Sequence, residues 1–304
     1  MTAVGTAVAG AAGGSRLTPG PKSRSRRARN WVATVVIGLA FLIAMVPLVF
    51  LVVYVVQQGS KAFSWEFLTS NPPFSDRLSG GGMAPAVVGT IVITGAAALM
   101  AIPLGILGGI YLNEYGGKNP LARTVRFLAE VMTGVPSIVM GLFIYTLVVV
   151  NTGERTGFAG SLALASLMLP IVIRVTDQML LLVPRELREG SYALGSRRAR
   201  TIRTVVLPKA APGIVSGALL AVARAAGETA PILFTIGIVN EPNWNIFKGQ
   251  NTTLSQQIFL NATSPFAPAQ DRAWAAALTL ILIVFVVTIL ARLVTAFFSR
   301  RQGA

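Results

Sequence analysis

The sequence predicts an all-α, polytopic membrane protein with six transmembrane helices and both termini in the cytoplasm. Only 12% of the 304 residues are charged and 53% are hydrophobic, whereas soluble domains carry about 25% charged residues. The mean hydropathy is +0.67, and the apolar residues are gathered in runs that reach the roughly 20 residues a membrane helix needs. Most of the 26 Lys and Arg residues fall in segments that this topology places inside the cell.

Composition also excludes several kinds of chemistry. The chain has no Cys and no His, so disulfides, cysteine nucleophiles, histidine bases and the usual structural zinc sites are excluded. A net charge of +15 would suggest nucleic acid binding in a soluble protein. In a membrane protein the same charge is explained by cytoplasmic loops and contact with anionic lipid. We therefore expect membrane lipid, and no nucleic acid, as a partner.

The predicted elements follow in chain order. Residues 1–29 are rich in Gly, Ala, Ser and Arg and predict a disordered basic cytoplasmic tail, before a transmembrane domain over 30–304. The first apolar run is too long for the hydrophobic region of a signal peptide and predicts an uncleaved span. The spans are predicted near residues 31–56, 85–112, 127–150, 160–182, 212–239 and 274–298.

A basic loop at residues 184–210 lies between the fourth and fifth predicted spans. Pro184 suits the first position of a helix, and Glu189 is near the end that favours acidic residues. Gly195 suits the left-handed conformation that ends a helix, and a second helix is predicted to run to Pro208. Two short helices joined at a glycine form a surface that a soluble partner can bind.

The spacing within this loop resembles the EAA motif of ABC-importer permeases. That motif is Glu-Ala-Ala, three residues, Gly, nine residues, then Ile-x-Leu-Pro. Here Gly and Ser replace the two alanines, and Val replaces Ile. The resemblance implies the type I importer permease fold and a loop that couples to an ATPase subunit. The coupling residues it implies are Glu189, Gly190, Ser191, Gly195, Leu207 and Pro208.

Four further segments are similar to the A-type permease subunit of phosphate importers. They are residues 81–90 (GGMAPAVVGT), 134–142 (GVPSIVMGL), 223–231 (ARAAGETAP) and 273–277 (AWAAA). The resemblance covers about residues 80–300. It implies a multi-pass subunit of the bacterial inner membrane that imports inorganic phosphate. Its implied partners are a C-type sister permease, two copies of an ATPase and an extracytoplasmic phosphate-binding protein.

The chain has no G-x-x-x-x-G-K-[ST] phosphate loop, so it is not expected to be the ATPase. We expect a non-catalytic subunit without a cofactor of its own, with ATP bound by the partner ATPase.

Two charges near the middle of the fifth predicted span are candidates for the substrate pathway. Arg224 is expected near the midplane, and Glu228 follows one helical turn later, within reach of an ion pair. Either the pair only neutralises itself and fixes helix packing, or Arg224 faces the pathway and contacts phosphate. A guanidinium group matches the oxygen fork of phosphate, with Glu228 holding it in place and Thr229 supplying a hydroxyl.

Two further residues are weaker pathway candidates. Arg174 is three residues before Asp177 in the fourth predicted span, and it either faces the pathway or serves packing and reaches towards the membrane surface. Ser137 follows Pro136, and the kink that proline causes exposes backbone groups near the pathway.

Other transport functions remain open at this point. One is a permease for another oxyanion, such as sulfate or molybdate, or for an amino acid. Another is an ion-coupled secondary transporter, which would favour inverted repeats that the sequence does not show. Co-purification of an ATPase subunit would exclude the secondary transporter.

Overall fold

The computed structural model describes residues 21–117 and 119–300. All regular structure within these residues is helical. The chain divides into two units after Tyr54. The first unit consists of most of helix α1 (Pro21–Gly59). Residues 21–29 are therefore helical and not disordered as predicted. Arg, Lys and Ala favour helix formation, and the helix continues into the apolar run that follows. Residues 1–20 lie outside the described residues.

The second unit contains the remaining helices. Their bounds are α2 (Trp65–Thr69), α3 (Ala84–Ile110), α4 (Pro120–Gly134), α5 (Ser137–Ile144), α6 (Val150–Thr152), α7 (Gly157–Leu181), α8 (Arg185–Ala193), α9 (Arg198–Thr201), α10 (Leu207–Gly227), α11 (Ala230–Thr235), α12 (Leu254–Ala262) and α13 (Ala267–Arg300). Wider π-helical turns follow α3, α5 and α9, over Tyr111–Tyr115, Tyr145–Val149 and Ile202–Val206.

Five helices among the described residues are long and apolar enough to cross a membrane. A sixth span is added if α4 and the helix that continues from α5 to Thr152 count as one. The fold class is therefore all-α with five to six membrane spans. This matches the number of spans predicted from the hydrophobic runs.

The third predicted span, residues 127–150, is not one continuous helix. Helix α4 and the helix beginning at Ser137 are bent by 106° relative to each other. The break follows from Pro136, which lacks an N–H and disfavours helical backbone in the residue before it. Val135 is accordingly extended, with φ −69° and ψ 129°.

The fifth predicted span, residues 212–239, is also interrupted. The helix runs from Arg198 to Gly227, and the backbone turns at Glu228, which is extended with φ −70° and ψ 125°. The short helix α11 then begins at Ala230, with Pro231 in its first turn. This span thus begins earlier and ends sooner than its hydropathy suggested, because the helical backbone stops at Glu228 although the apolar run continues.

Small residues allow the main helices of the second unit to pack closely. Gly105 and Gly109 of α3 face α7, where an added Cβ would come within 2.6 Å of Val172 and 2.5 Å of Thr176. Such close contact of backbones is the usual basis of helix association in membranes. The buried cluster around this contact draws on α3, α7, α10 and α11. It holds the interrupted fifth span, α10 with α11, against the continuous helices α3 and α7.

The segment between the fifth and sixth predicted spans, residues 240–273, contains helix α12, most of whose first turns are buried. Many of its polar side chains are buried and bond to one another. The Gln257 amide donates to the Thr252 hydroxyl at 3.1 Å, and the Leu254 backbone N–H donates to the Thr90 hydroxyl of α3 at 2.8 Å. Hydropathy did not indicate this burial because the side chains satisfy each other within the protein.

The orientation of the chain in the membrane is testable because the sequence has no native cysteine. We predict that Leu78→Cys and Gln250→Cys react with a membrane-impermeant thiol reagent applied from outside. Arg197→Cys should react only after the membrane is permeabilised. All three positions are exposed, so a difference in labelling would reflect the side of the membrane. External labelling at position 197 would contradict the predicted orientation.

Candidate functional site

The basic loop has the predicted geometry of two short helices with a corner between them. Pro184 precedes the first turn of α8, and Gly195 has φ +79°, a conformation open mainly to glycine. The hydroxyls of Ser191 and Thr201 lie 2.8 Å apart and close the loop on itself. Leu194 is 88% exposed at the corner. An exposed leucine on a rigid corner suits contact with another protein.

The other motif residues divide between the surface and the membrane domain. Glu189 and Gly190 are exposed on α8. Leu207 packs against a buried apolar cluster at the ends of α7 and α10, and Pro208 lies in the first turn of α10. The helix does not stop at Pro208 as predicted. It continues from α9 into α10 because the π turn at Ile202–Val206 accommodates the missing N–H of proline.

A cleft of about 310 Å³ lies between the two interrupted spans. It brings together three of the predicted pathway residues, Ser137, Arg224 and Glu228. Its other walls are mostly apolar: Met132, Thr133, Val135, Pro136, Leu167, Ile171, Leu220 and Ala221. The breaks in both spans therefore open onto the same space, which we call the break cleft.

The two interrupted spans are in direct contact beside this cleft. A Cβ added to Gly141 of α5 would collide with the Pro231 backbone of α11. Both residues are buried. The absence of a side chain at Gly141 therefore sets the distance between α5 and α11.

Arg224 and Glu228 form the predicted ion pair, with 3.3 Å between Nε and Oε1. The arginine side chain is 67% exposed and the carboxylate 18%. Arg224 does not lie in the middle of a helix. It lies in the last turn of α10, and the helix dipole favours a cation at that end. The Glu228 carbonyl accepts a hydrogen bond from the Ser255 hydroxyl of α12 at 3.1 Å, so the buried polar segment supports the pair.

The remaining predicted pathway residues lie outside the cleft lining. Thr229 is half-buried and immediately precedes α11, and its carbonyl accepts the Leu233 N–H at 3.1 Å. Arg174 is exposed. It follows Ile171 by three residues, so it lies on the same face of α7 as that cleft residue, one turn away.

Asp177 pairs with Arg126 of α4 and not with Arg174. The Arg126 Nε lies 3.1 Å from one carboxylate oxygen, and Nη2 lies 3.3 Å from the other. Asn113 adds a weaker contact to the same carboxylate. This bidentate pair ties α4 to α7. No local pattern predicts this pair, because the two residues are 51 positions apart.

The arrangement can hold an anion without a metal. Among residues 21–117 and 119–300, no cluster of three or more His, Asp or Glu side chains could bind a metal ion. The cleft instead offers a guanidinium group and the first turn of α5, which begins at Ser137. The first N–H groups of a helix have no partner within it and favour negative charge.

Residues 101–303 match the family model described as "Binding-protein-dependent transport system inner membrane component". The phosphate transport system permease protein PstA 1 of Mycobacterium tuberculosis (strain H37Rv) is 40% identical over 290 residues, 93% of this chain and 92% of the relative. PstA of Mycobacterium leprae is 44% identical, covering 87% and 88%. PstA of Yersinia pestis is 41% identical, covering 90% and 92%.

Solved structures of importers share the fold at low sequence identity. The inward-facing methionine ABC transporter MetNI matches with a TM-score of 0.60 at 20% identity, over 71% of this chain and 95% of the other. The bacterial alginate ABC transporter in complex with its alginate pentasaccharide-bound periplasmic protein matches with a TM-score of 0.60 at 14% identity, over 88% and 94%. The predicted permease fold is confirmed by these similarities.

Proposed function

Since this chain belongs to the binding-protein-dependent transport system inner membrane components, and among them to the phosphate transport permeases, we propose that phosphate crosses the membrane through its break cleft. The protein is a multi-pass inner membrane permease subunit of a phosphate importer. The observation that supports the route is the convergence of Arg224 and the start of α5 on one space between two interrupted spans. Interrupted helices supply anion sites in transporters of several folds.

Arg224 is the residue that we assign to phosphate. A guanidinium stays charged at every physiological pH and presents a planar fork of donors to an oxyanion. Its exposure of 67% contrasts with the 18% of its partner Glu228. This arrangement leaves the guanidinium accessible to an anion in the cleft, whereas the carboxylate is more buried.

Glu228 has the complementary role of limiting how tightly the cleft binds phosphate. A permease must release its substrate, so an arginine without a counter-charge would hold the anion too long. The carboxylate competes with phosphate for the guanidinium group, whose Nε donates to Glu228 Oε1 at 3.3 Å. Ser137 supplies a hydroxyl, and it begins α5, whose first N–H groups favour an anion. Arg174, one turn further along α7, is a candidate for the next contact on the route.

The partners of the family are an ATPase and a substrate-binding protein. We propose that this chain pairs with a C-type sister permease, that two ATPase copies bind ATP, and that an extracytoplasmic phosphate-binding protein delivers the substrate. The loop at residues 184–210 is the docking element for the ATPase. Leu194 at its corner is exposed enough to enter a groove on that partner.

The other transport functions are less well supported. Binding-protein-dependent permeases work with an ATPase, so an ion-coupled secondary transporter does not fit the family. Relatives at 40–44% identity bear the name of phosphate permeases, which favours phosphate over sulfate, molybdate or amino acids.

Substrate competition in the reconstituted complex tests this function. We expect ATP-dependent uptake of radiolabelled phosphate into vesicles that contain both permeases and the ATPase and receive the binding protein outside. Unlabelled phosphate and arsenate should suppress uptake, because both are tetrahedral oxyanions of similar protonation. Sulfate, molybdate and methionine should leave it unchanged. Equal suppression by sulfate, or uptake without ATP, would contradict the proposal.

A further inference from the structure

The two short helices of the loop at residues 184–210, α8 and α9, contact two consecutive residues at the end of α3. Arg188 of α8 bonds to Glu114, and Arg198 of α9 lies over the ring of Tyr115. Both targets belong to the π turn Tyr111–Tyr115 that ends the α3 helix. The loop is therefore fixed to a helix that is distant in sequence, in addition to α7 and α10, which flank it.

Arg188 is the centre of this attachment. Its Nη2 lies 2.9 Å from Glu114 Oε1, and its Nε lies 3.2 Å from the same oxygen. The same side chain donates to the carbonyls of Leu180 at 2.9 Å and Val183 at 2.6 Å. These carbonyls end α7, where a cation is favoured. One guanidinium group thus joins α8, the end of α3 and the end of α7.

Burial distinguishes this pair from an ordinary surface ion pair. The Glu114 side chain is 5% exposed and that of Arg188 is 16% exposed. A pair at this depth is screened little by solvent, and loss of either partner leaves an uncompensated charge. Separating the two charges therefore costs considerable free energy, so the two side chains move together.

The second attachment is weaker but has the same target. The Arg198 guanidinium carbon lies 4.7 Å from the centre of the Tyr115 ring, within the range of a cation–π contact. Ser191 and Thr201 link α8 and α9 to each other. Both α8 and α9 consequently contact the π turn at the end of α3.

The path from this turn to the break cleft is short and tightly packed. Helix α3 meets α7 through Gly105 and Gly109 with no room for a side chain between them. On α7, Leu167 and Ile171 line the cleft. A shift of the π turn is thus passed to α3, and from α3 to a wall of the cleft, through contacts that resist compression.

We propose that Glu114 and Arg188 form the mechanical link by which ATPase-driven movement of the loop reaches α3. This inference rests on the proposed function, because it requires an ATPase partner that moves the loop. The two residues are positioning residues that touch neither phosphate nor ATP. Without this ion pair, the loop still docks and the ATPase still hydrolyses ATP, but opening of the cleft is no longer coupled to hydrolysis.

The test compares a double variant, Glu114→Gln with Arg188→Gln, with the native complex and with Arg123→Gln. Arg123 is an exposed arginine of α4, outside the docking loop, so its variant controls for the loss of an arginine, and the double variant itself leaves the net charge unchanged. We expect all three complexes to co-purify with the ATPase and to retain basal ATP hydrolysis. In the double variant alone, stimulation of hydrolysis by phosphate-loaded binding protein and phosphate uptake should fall at least about tenfold.

A reversible cross-link distinguishes a loss of coupling between the loop and α3 from a folding defect. Glu114→Cys with Arg188→Cys is bridged in the assembled complex by a short bis-methanethiosulfonate reagent, with partner subunits that lack cysteine. We expect the unbridged complex to be uncoupled, the bridge to restore stimulation and uptake, and dithiothreitol to abolish both again. A residue needed only for folding would not respond to the bridge and its reduction in this order.

Two results would overturn the inference. One is stimulation and uptake at the native level in the Gln/Gln variant. The other is a completed bridge that leaves the complex as uncoupled as before. If the native complex itself shows no ATP-dependent uptake, the proposed function fails, and the inference fails with it.

Discussion

A complex in which Arg224 and Glu228 are both replaced by glutamine should assemble normally and fail to transport phosphate. Neutralising both groups together leaves no unpaired charge, so the neutral pair should not impair insertion. Transport should fail because no cation remains to meet the anion at the break cleft. The measurements are co-purification of the partner subunits, which should be at the native level, and phosphate uptake, which should fall at least about a hundredfold. That factor corresponds to loss of a charge-assisted contact of about 2–3 kcal/mol.

Single variants at the same positions sharpen the test. Arg224→Lys keeps the charge and loses the fork, so uptake should be weakened rather than absent. Glu228→Gln leaves a cation without its counter-charge and should bind phosphate more tightly while releasing it more slowly. Native uptake by the Gln/Gln complex would make the pair structural. Arg174, exposed one turn from the cleft, would then be the next residue to test.

Gly141→Ala should destabilise the protein by about 1–3 kcal/mol, the usual cost of overpacking a tight contact. The added Cβ would collide with the backbone of Pro231, and backbone cannot move aside as a flexible side chain can. Helices α5 and α11 must therefore separate, which widens the break cleft and moves Ser137 away from Arg224. The measurements are a thermal melt in detergent, where the midpoint should fall by several degrees, and phosphate uptake, which should fall with it.

Gly134→Ala is the matched control for this variant. Gly134 ends α4 beside the same break, and nothing lies within 4 Å of the Cβ that alanine would add. Alanine costs less conformational entropy than glycine in a helix, so this variant should melt at or slightly above the native midpoint. A Gly141→Ala protein that melts and transports like the native chain would show that the crossing of α5 and α11 tolerates expansion.

The sequence predicted the helices better than their interruptions. Pro103 and Pro170 lie inside continuous helices, α3 and α7, whereas Pro136 separates α4 from α5 by a sharp bend. All three fall within apolar runs, so composition does not distinguish them. A proline kinks or breaks a span according to whether neighbouring groups satisfy the carbonyls it frees, and those neighbours are distant in sequence.

The same limit applies to the charged residues. Arg224 and Glu228 are one helical turn apart, so a local rule predicts their contact. Arg126 with Asp177, and Arg188 with Glu114, are separated by 51 and 74 residues. Only the packing of α3 and α4 against α7 and α8 brings these pairs together. The glycine corner at Gly195 was predictable because a positive φ is a local requirement.

The bend between α4 and α5 also bears on the order in which the chain enters the membrane during synthesis. The helix from Ser137 to Thr152 is about 24 Å long, short of the roughly 30 Å of a bilayer core. Helix α4 carries Arg126, whose partner Asp177 is made 51 residues later. At about 5–20 residues per second, the ribosome needs several seconds to supply that carboxylate. The ion pair that ties α4 to α7 therefore forms only after Asp177 has been synthesised, well after α4 itself.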